Sequence, residues 1–264
     1  MIDVIRLLTS VDRVWFLVSA LGEIRLAILI AISASLVAMF VDWRLGLMAQ
    51  LLQSLFVGFL LSHVILPQLA MLIPLVGALA GFVLYWTGRR IATEVARTGR
   101  TETWRGRSSA AGSPMGLPFR ILTLLLWALA VSTLASQFPI PEVPASLNAA
   151  AYWLVSMGLL AIILTRDPFK TGLGLLTFSN GFELLYIWFN PGLLVLGLLG
   201  IGNILTALVA SYLTVAYHAD LLVPPEPAPL PNSREAFLRA VRMLYRAPRH
   251  QAEDEEESEE ALVP

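Results

Sequence analysis

The sequence predicts an all-α, polytopic transmembrane helix bundle of about seven spans, with an interfacial N-terminal helix and a cytoplasmic tail. Three observations carry that expectation. Of 264 residues, 57% are hydrophobic and only 14% charged, whereas soluble domains carry about 25% charged residues. Several stretches run for about 18–25 residues with few charges, enough to cross about 30 Å of hydrocarbon at about 1.5 Å per residue. The charges are segregated between those stretches, so a net charge of −1 says little about partners. The chain has no cysteine, which excludes disulfides, thiolate metal sites, iron–sulfur ligation and cysteine nucleophiles.

Each element has its own signal. Residues 1–24 mix apolar stretches with Arg6, Asp12 and Arg13 beside Trp15 and Phe16. That pattern fits an amphipathic helix lying at the interface, with a short extra span as the alternative. The stretch lacks a basic leader, an unbroken apolar core and a small-residue cleavage site, so no removable signal peptide is expected. A first three-helix unit covers 25–87, with spans at about 25–42, 45–64 and 67–87. The third closes on Tyr85 and Trp86 before Arg89 and Arg90, and aromatics beside arginines mark the headgroup level.

Residues 88–116 read as a basic loop, with Arg89, Arg90, Arg97, Arg100, Arg105 and Arg107 against Glu94 and Glu102. The positive-inside rule makes this loop cytoplasmic. A connecting span at 117–137 then leads to a proline-rich external loop at 138–148. The second three-helix unit, 149–218, has spans at about 149–165, 171–189 and 192–217. Arg166, Asp167 and Lys170 mark its first, cytoplasmic turn, and Asn190-Pro191-Gly192 its second. The N-terminus then falls outside, against the sense of Arg6, Arg13 and Arg25, which Asp3 or Asp12 and Glu23 partly offset.

The tail, 219–264, contains a stiff VPPEPAPLPN spacer and a basic amphipathic helix over 233–246. That helix is capped by Ser233 and carries Arg239 and Arg242. The acidic run EDEEESEE is expected to remain unfolded.

Polar residues inside the spans are the candidate site. Thr177, Asn180 and Glu183 recur every three residues, and Ser179 lies one turn before Glu183. Glu183 stands about 12 residues in, roughly 18 Å deep. A charged acid there costs about 2.5–3.5 kcal/mol by insertion scales, so a neutral, protonated side chain is the cheaper solution. The functional reading is a protonatable station in an ion path, with Asn180, Asn203 and Thr177 around it. The competing reading is a protonated carboxyl bonded to a neighbouring helix for packing alone, favoured by the lack of a second acid at the same depth.

Gln50, Gln53 and His63 read first as interhelical bonding partners or, for His63, an interfacial residue. Arg120 can snorkel to the nearer surface. Gly197, Gly200, Gly202, Ala207 and Ala210 allow close helix approach. No nucleotide-binding glycine motif, paired histidine or Ser/His/Asp set occurs. Neither a cofactor, a metal site nor a self-contained enzyme is expected, and nothing points to nucleic acid. A weak echo aligns RLGLMAQLLQSLFVGFLL with KTGLGLLTFSNGFELLY, Gly46 over Gly172. It fits repeated three-helix units, although apolar helices also resemble one another by chance.

A charged turn, then GLGLLTFSNGFELL, a short turn and a glycine-rich helix together resemble the K-type small membrane subunit of respiratory complex I. The closer resemblance is to the longer component E subunits of hydrogenase-4-type membrane complexes; related small subunits occur in multisubunit cation/proton antiporters. It covers about 149–218 and, more weakly, 25–87 through WRLGLMAQLLQSL. It implies a subunit of an ion-translocating membrane arm, packed against larger antiporter-like or redox subunits in a prokaryotic plasma membrane. The family's membrane carboxylates are largely replaced: Leu176 stands at the K-type glutamate, Ser179 before the Asn180-Gly181 pair, and neither Gly197 nor Asn203 is acidic. Asn180 matches, and Glu183 is added. The alternatives are a non-conducting anchor, whose arginines hold a cytoplasmic partner or anionic lipid, and a stand-alone small-solute transporter.

Overall fold

The computed structural model describes residues 22–40, 42–97 and 117–219. The chain divides into two units, Met1–Leu222 and Val223–Pro264, and the second lies outside the described residues. So do the interfacial helix expected before residue 22, Arg100, Arg105 and Arg107, and the tail helix with Arg239 and Arg242.

The described part is all-α. Its helices are α1 (Gly22–Met39), α2 (Trp43–Leu61), the single turn α3 (Pro67–Ala70), α4 (Leu72–Arg97), α5 (Leu117–Gln137), α6 (Ala145–Ile163), α7 (Pro168–Phe189) and α8 (Leu193–Tyr217). Six spans, over α1, α2, α3 with α4, α5, α6 and α8, are long and apolar enough to cross a membrane. The protein is therefore a multi-pass membrane protein. Helix α7 has 22 residues, about 33 Å, but its threonine, asparagine and glutamate lower its hydropathy. It is accommodated because other helices cover it.

Local chemistry sets the boundaries. Asp167 caps α7 by accepting a bond from the Phe169 amide at 3.1 Å, with Pro168 in the first turn. Asn190 and Pro191 end α7, and Gly192 caps α8. Asn148 Oδ1 accepts from the Ile140 amide at 3.3 Å, and the Tyr152 hydroxyl donates to the Phe138 carbonyl at 3.0 Å. These two bonds pin the proline-rich connection onto α6.

Three sequence expectations need correction. Helix α4 continues about ten residues past its hydrophobic stretch, so Arg89, Arg90 and Arg97 lie on a helix rather than in a loop. Hydropathy marks where lipid contact stops; helix-forming residues and the 3.1 Å Arg97–Glu94 pair carry the backbone further. Helices α6 and α7 begin at Ala145 and Pro168 rather than at 149 and 171, because Pro144 and Asp167 cap them ahead of the apolar run. Arg120 does not snorkel: it is buried, and its guanidinium donates to the Met39 carbonyl at 3.2 Å, at the negative end of the α1 dipole.

Side-chain bonds between distant parts of the chain join three pairs of helices. Ser146 donates to Glu23 and Trp153 to the Ala31 carbonyl, joining α1 to α6. Thr177 bonds Gln50, joining α2 to α7. Thr87 bonds Ser211, joining α4 to α8. The partners are separated by 123, 122, 127 and 124 residues respectively. Helix α5 stands apart: it packs on α6 through Trp127, whose indole donates to the Ser156 carbonyl at 3.1 Å. It leaves Leu122, Leu125, Leu126 and Leu129 more than half exposed.

Small residues set the tightest approach, between α6 and α7. A Cβ on Gly158 would overlap the Phe178 backbone and lie 2.7 Å from the Gly174 carbonyl oxygen. Backbone cannot yield as a side-chain tip does. Gly158→Ala is therefore expected to lower the thermal unfolding midpoint, at a cost of about 1–3 kcal/mol. Gly197→Ala and Gly202→Ala, where nothing lies within 4 Å, should leave it unchanged or raise it. Thermal unfolding of the three variants in detergent checks the contrast.

Candidate functional site

Polar side chains inside the bundle gather on the seam where α2, α7 and α8 meet. Gln50, Gln53, Ser54, Thr177, Asn180, Glu183 and Asn203 are all buried. Helix α7 supplies the stripe expected from its three-residue spacing, and α2 supplies the glutamines that face it.

The Thr177 hydroxyl lies 2.9 Å from Gln50 Oε1, 3.4 Å from Gln53 Oε1 and 2.9 Å from the Leu173 carbonyl. One hydroxyl proton cannot serve three acceptors fully. Deeper in, the Asn203 amide donates to Glu183 Oε1 at 2.6 Å. Gln53 Nε2, Asn180 Nδ2, Asn203 Oδ1 and the Lys170 ammonium are buried with no partner in the protein. All four belong to this seam or to the first turn of α7 below it. Unpaired buried polar atoms are rare and costly elsewhere.

Lys170 sits seven residues before Thr177 on the same helix face. The charges of Asp167, Arg120 and Asp42 surround it. At the other end of the seam, Glu183 forms part of the wall of a narrow crevice of about 10 Å³ between α4, α7 and α8. Ile73, Val76, Ile187, Leu196, Leu199 and Gly200 make up much of the remaining lining. The carboxylate thus has an amide on one side and apolar side chains on the other.

Asn203 suits both states of Glu183. Its Nδ2 donates to a charged carboxylate, while a half-turn of the same amide presents Oδ1 to a protonated one. The arrangement can hold a proton on Glu183 or release it without moving a helix. Chemically it is a carboxyl–amide pair beside an apolar wall, with the Thr177–Gln50–Gln53 group on the same seam and the Lys170 ammonium in the turn below. Among the described residues no group of three or more histidine or acidic side chains converges as a metal site would require.

The structure buries all four sequence candidates but pairs them in two separate groups, Thr177 with Gln50 and Gln53 and Asn203 with Glu183, while the Asn180 amide nitrogen has no partner in the protein. Gln50 and Gln53 are interhelical partners, as their position in α2 suggested. Lys170 is the residue that reading the sequence as a charged turn missed; its sevenfold spacing from Thr177 was the available signal. Leu176 lies in the apolar core between α2, α4, α7 and α8. His63 is exposed at the end of α2, in keeping with an interfacial place. Arg89, Arg90 and Arg97 are exposed along the end of α4.

Fold and site together define a polytopic α-helical membrane protein with one buried carboxylate–amide pair at the head of a polar file. Compared with known protein families, curated proteins and solved structures, the chain matches none.

The Glu183–Asn203 bond should be measurable as an interaction energy. In a double-mutant cycle, Asn203→Leu is expected to destabilise the wild type more than it destabilises Glu183→Gln. The coupling should fall at about 0.5–3 kcal/mol. Unfolding of the four proteins in detergent or bilayers provides the reading, and purely additive effects would contradict the pairing.

Proposed function

We propose that this protein is an integral subunit of a complex-I-like or hydrogenase-like ion-translocating membrane arm, in which Glu183 is the proton carrier. The observation that carries the proposal is the buried file itself. A bundle needing polar groups only for cohesion would pair them; this one leaves four polar atoms unpaired along a single seam that ends on a carboxylate. Such atoms are where ordered water and transferable protons bind. The resemblance of 149–218 to K-type and component E subunits supports the same reading, and the exposed leucines of α5 offer a face for a larger subunit.

On this reading Asn203 stabilises both protonation states of Glu183. Thr177, Asn180, Gln50 and Gln53 continue the path, and Lys170 stands at its basic end. The basic ends of α4 and α7 would face the cytoplasm of a prokaryotic cell under the positive-inside rule, with the Asn190 turn outside. Partners would be larger antiporter-like or redox subunits, and lipid.

A second reading, a non-conducting anchor, is favoured by one fact. Among the described residues Glu183 is the single buried acid, and one acid makes a short relay. Glu183→Gln separates the two. Conduction through the carboxyl predicts that ion pumping by the assembled complex falls by about 10²-fold or more, as for loss of a general acid–base group, with subunit composition unchanged. Pumping at the wild-type rate would remove Glu183 from the mechanism and leave the anchor. Lys170→Met is expected to slow pumping less, because it alters the approach and not the carrier.

A further inference from the structure

A second concavity lies away from the polar file, on the outer side of α7 and α8. It has a volume of about 460 Å³, within the range of small-ligand sites. Gly172 and Ala210 form its floor. They touch so closely that a Cβ on Gly172 would overlap the Ala210 methyl. Leu175, Leu205, Val209 and Leu213 form apolar walls, each with much of its surface exposed. Arg166 closes one end.

Along α7 the groove runs from Pro168 to Leu175, about 11 Å, with Arg166 in the turn just before it, and along α8 from Leu205 to Leu213, about 12 Å. That is less than half of the roughly 30 Å of hydrocarbon. A spanning helix of another subunit would need a stripe of full length; this groove serves one leaflet only. Its apolar part points into the hydrocarbon, and its charged end lies level with the turn before α7. An occupant therefore has an acyl part and a polar head at that turn.

The charge at the mouth specifies the head. Arg166 is exposed and has no ion-pair partner among the described residues. The neighbouring Asp167 carboxylate is turned into the α7 cap on the Phe169 amide. The positive end of the α7 dipole faces the same turn. Thr171, at the groove edge, already donates its hydroxyl to the Asp167 carbonyl, so recognition falls to the guanidinium, which matches phosphate geometry.

The geometry points to a seat for an anionic glycerophospholipid, one acyl chain in the α7–α8 groove and its phosphate on Arg166. This site is independent of Glu183 and of any ion path. It is also separate from the arginines of α4.

Native mass spectrometry of the full chain, released from micelles containing chain-matched phosphatidylglycerol and phosphatidylcholine, tests the seat. The wild type should retain phosphatidylglycerol about fivefold more than phosphatidylcholine, the factor one arginine is worth against an anionic surface. Arg166→Gln should bring the two lipids to parity, and Val209→Trp, which fills the groove, should reduce retention of both. Arg89→Gln with Arg90→Gln should leave the preference intact. Equal retention by the wild type would overturn the proposal, as would a preference that survives Arg166→Gln. Disulfide cross-linking of Val209→Cys between copies in native membrane would also overturn it, by assigning the groove to a second copy. Arg166→Gln alters an exposed side chain, so the test stands even if Val209→Trp fails to fold.

Discussion

Hydrocarbon supplies no hydrogen bonds, so the polar side chains inside this bundle bond either a carbonyl of their own helix or a group on another helix, and those left unpaired gather on one seam and the turn below it. That constraint explains where the helices sit. Trp153 reaches the Ala31 carbonyl and Ser35, Thr87 meets Ser211, Trp127 donates to the Ser156 carbonyl, and Thr177 meets two glutamines. Each bond fixes the register of one helix against another. Glycines then set how near they come: Gly158, Gly174 and Gly181 bring α6 and α7 into backbone contact, where dispersion and close packing replace the missing hydrophobic drive.

Against that background the meeting of α2 and α7 has a consequence. Helices α2 and α7 both bring polar residues to the shared seam, and Gln50 and Gln53 from α2 meet Thr177 from α7. The match then stops. With Gly46 aligned on Gly172, Glu183 stands over Val57, which is fully buried among apolar neighbours. One half of the bundle therefore closes its core with a methyl-bearing side chain, and the other closes it with a carboxyl held by Asn203.

The two concavities of α7 and α8 divide the labour of those helices. Inward, α7 presents polar groups to α2 and to Asn203. Outward, at its basic end, it presents a glycine floor and apolar walls beneath Arg166. Leucine, valine and alanine on α8 serve both sides by periodicity: Asn203, Ala207, Ala210 and Thr214 are buried, whereas Leu205, Leu208 and Val209 are exposed. A helix with an apolar exterior can do this only where lipid is its solvent.

The sequence by itself determined that the chain crosses a membrane, roughly where each span lies, and that Gln50, Gln53, Thr177, Asn180, Glu183 and Asn203 lie within spans, although the burial of Asn148, Thr87 and His218 went unread. Apolar length and charge placement depend on the solvent around each segment and not on its neighbours. It also marked Thr177, Asn180 and Glu183 as one stripe, since helical periodicity is a local property. It misjudged Arg120 and the ends of α4, α6 and α7, because hydropathy reports lipid contact while caps and helix propensity decide where a backbone stops. Which stripe faces which was settled by tertiary structure alone. The Asn203 bond to Glu183, the burial of the Lys170 ammonium and the Arg166 groove all depend on interhelical distance and rotation. Those follow from side-chain shapes at contacts between residues far apart in the chain, which no local pattern encodes.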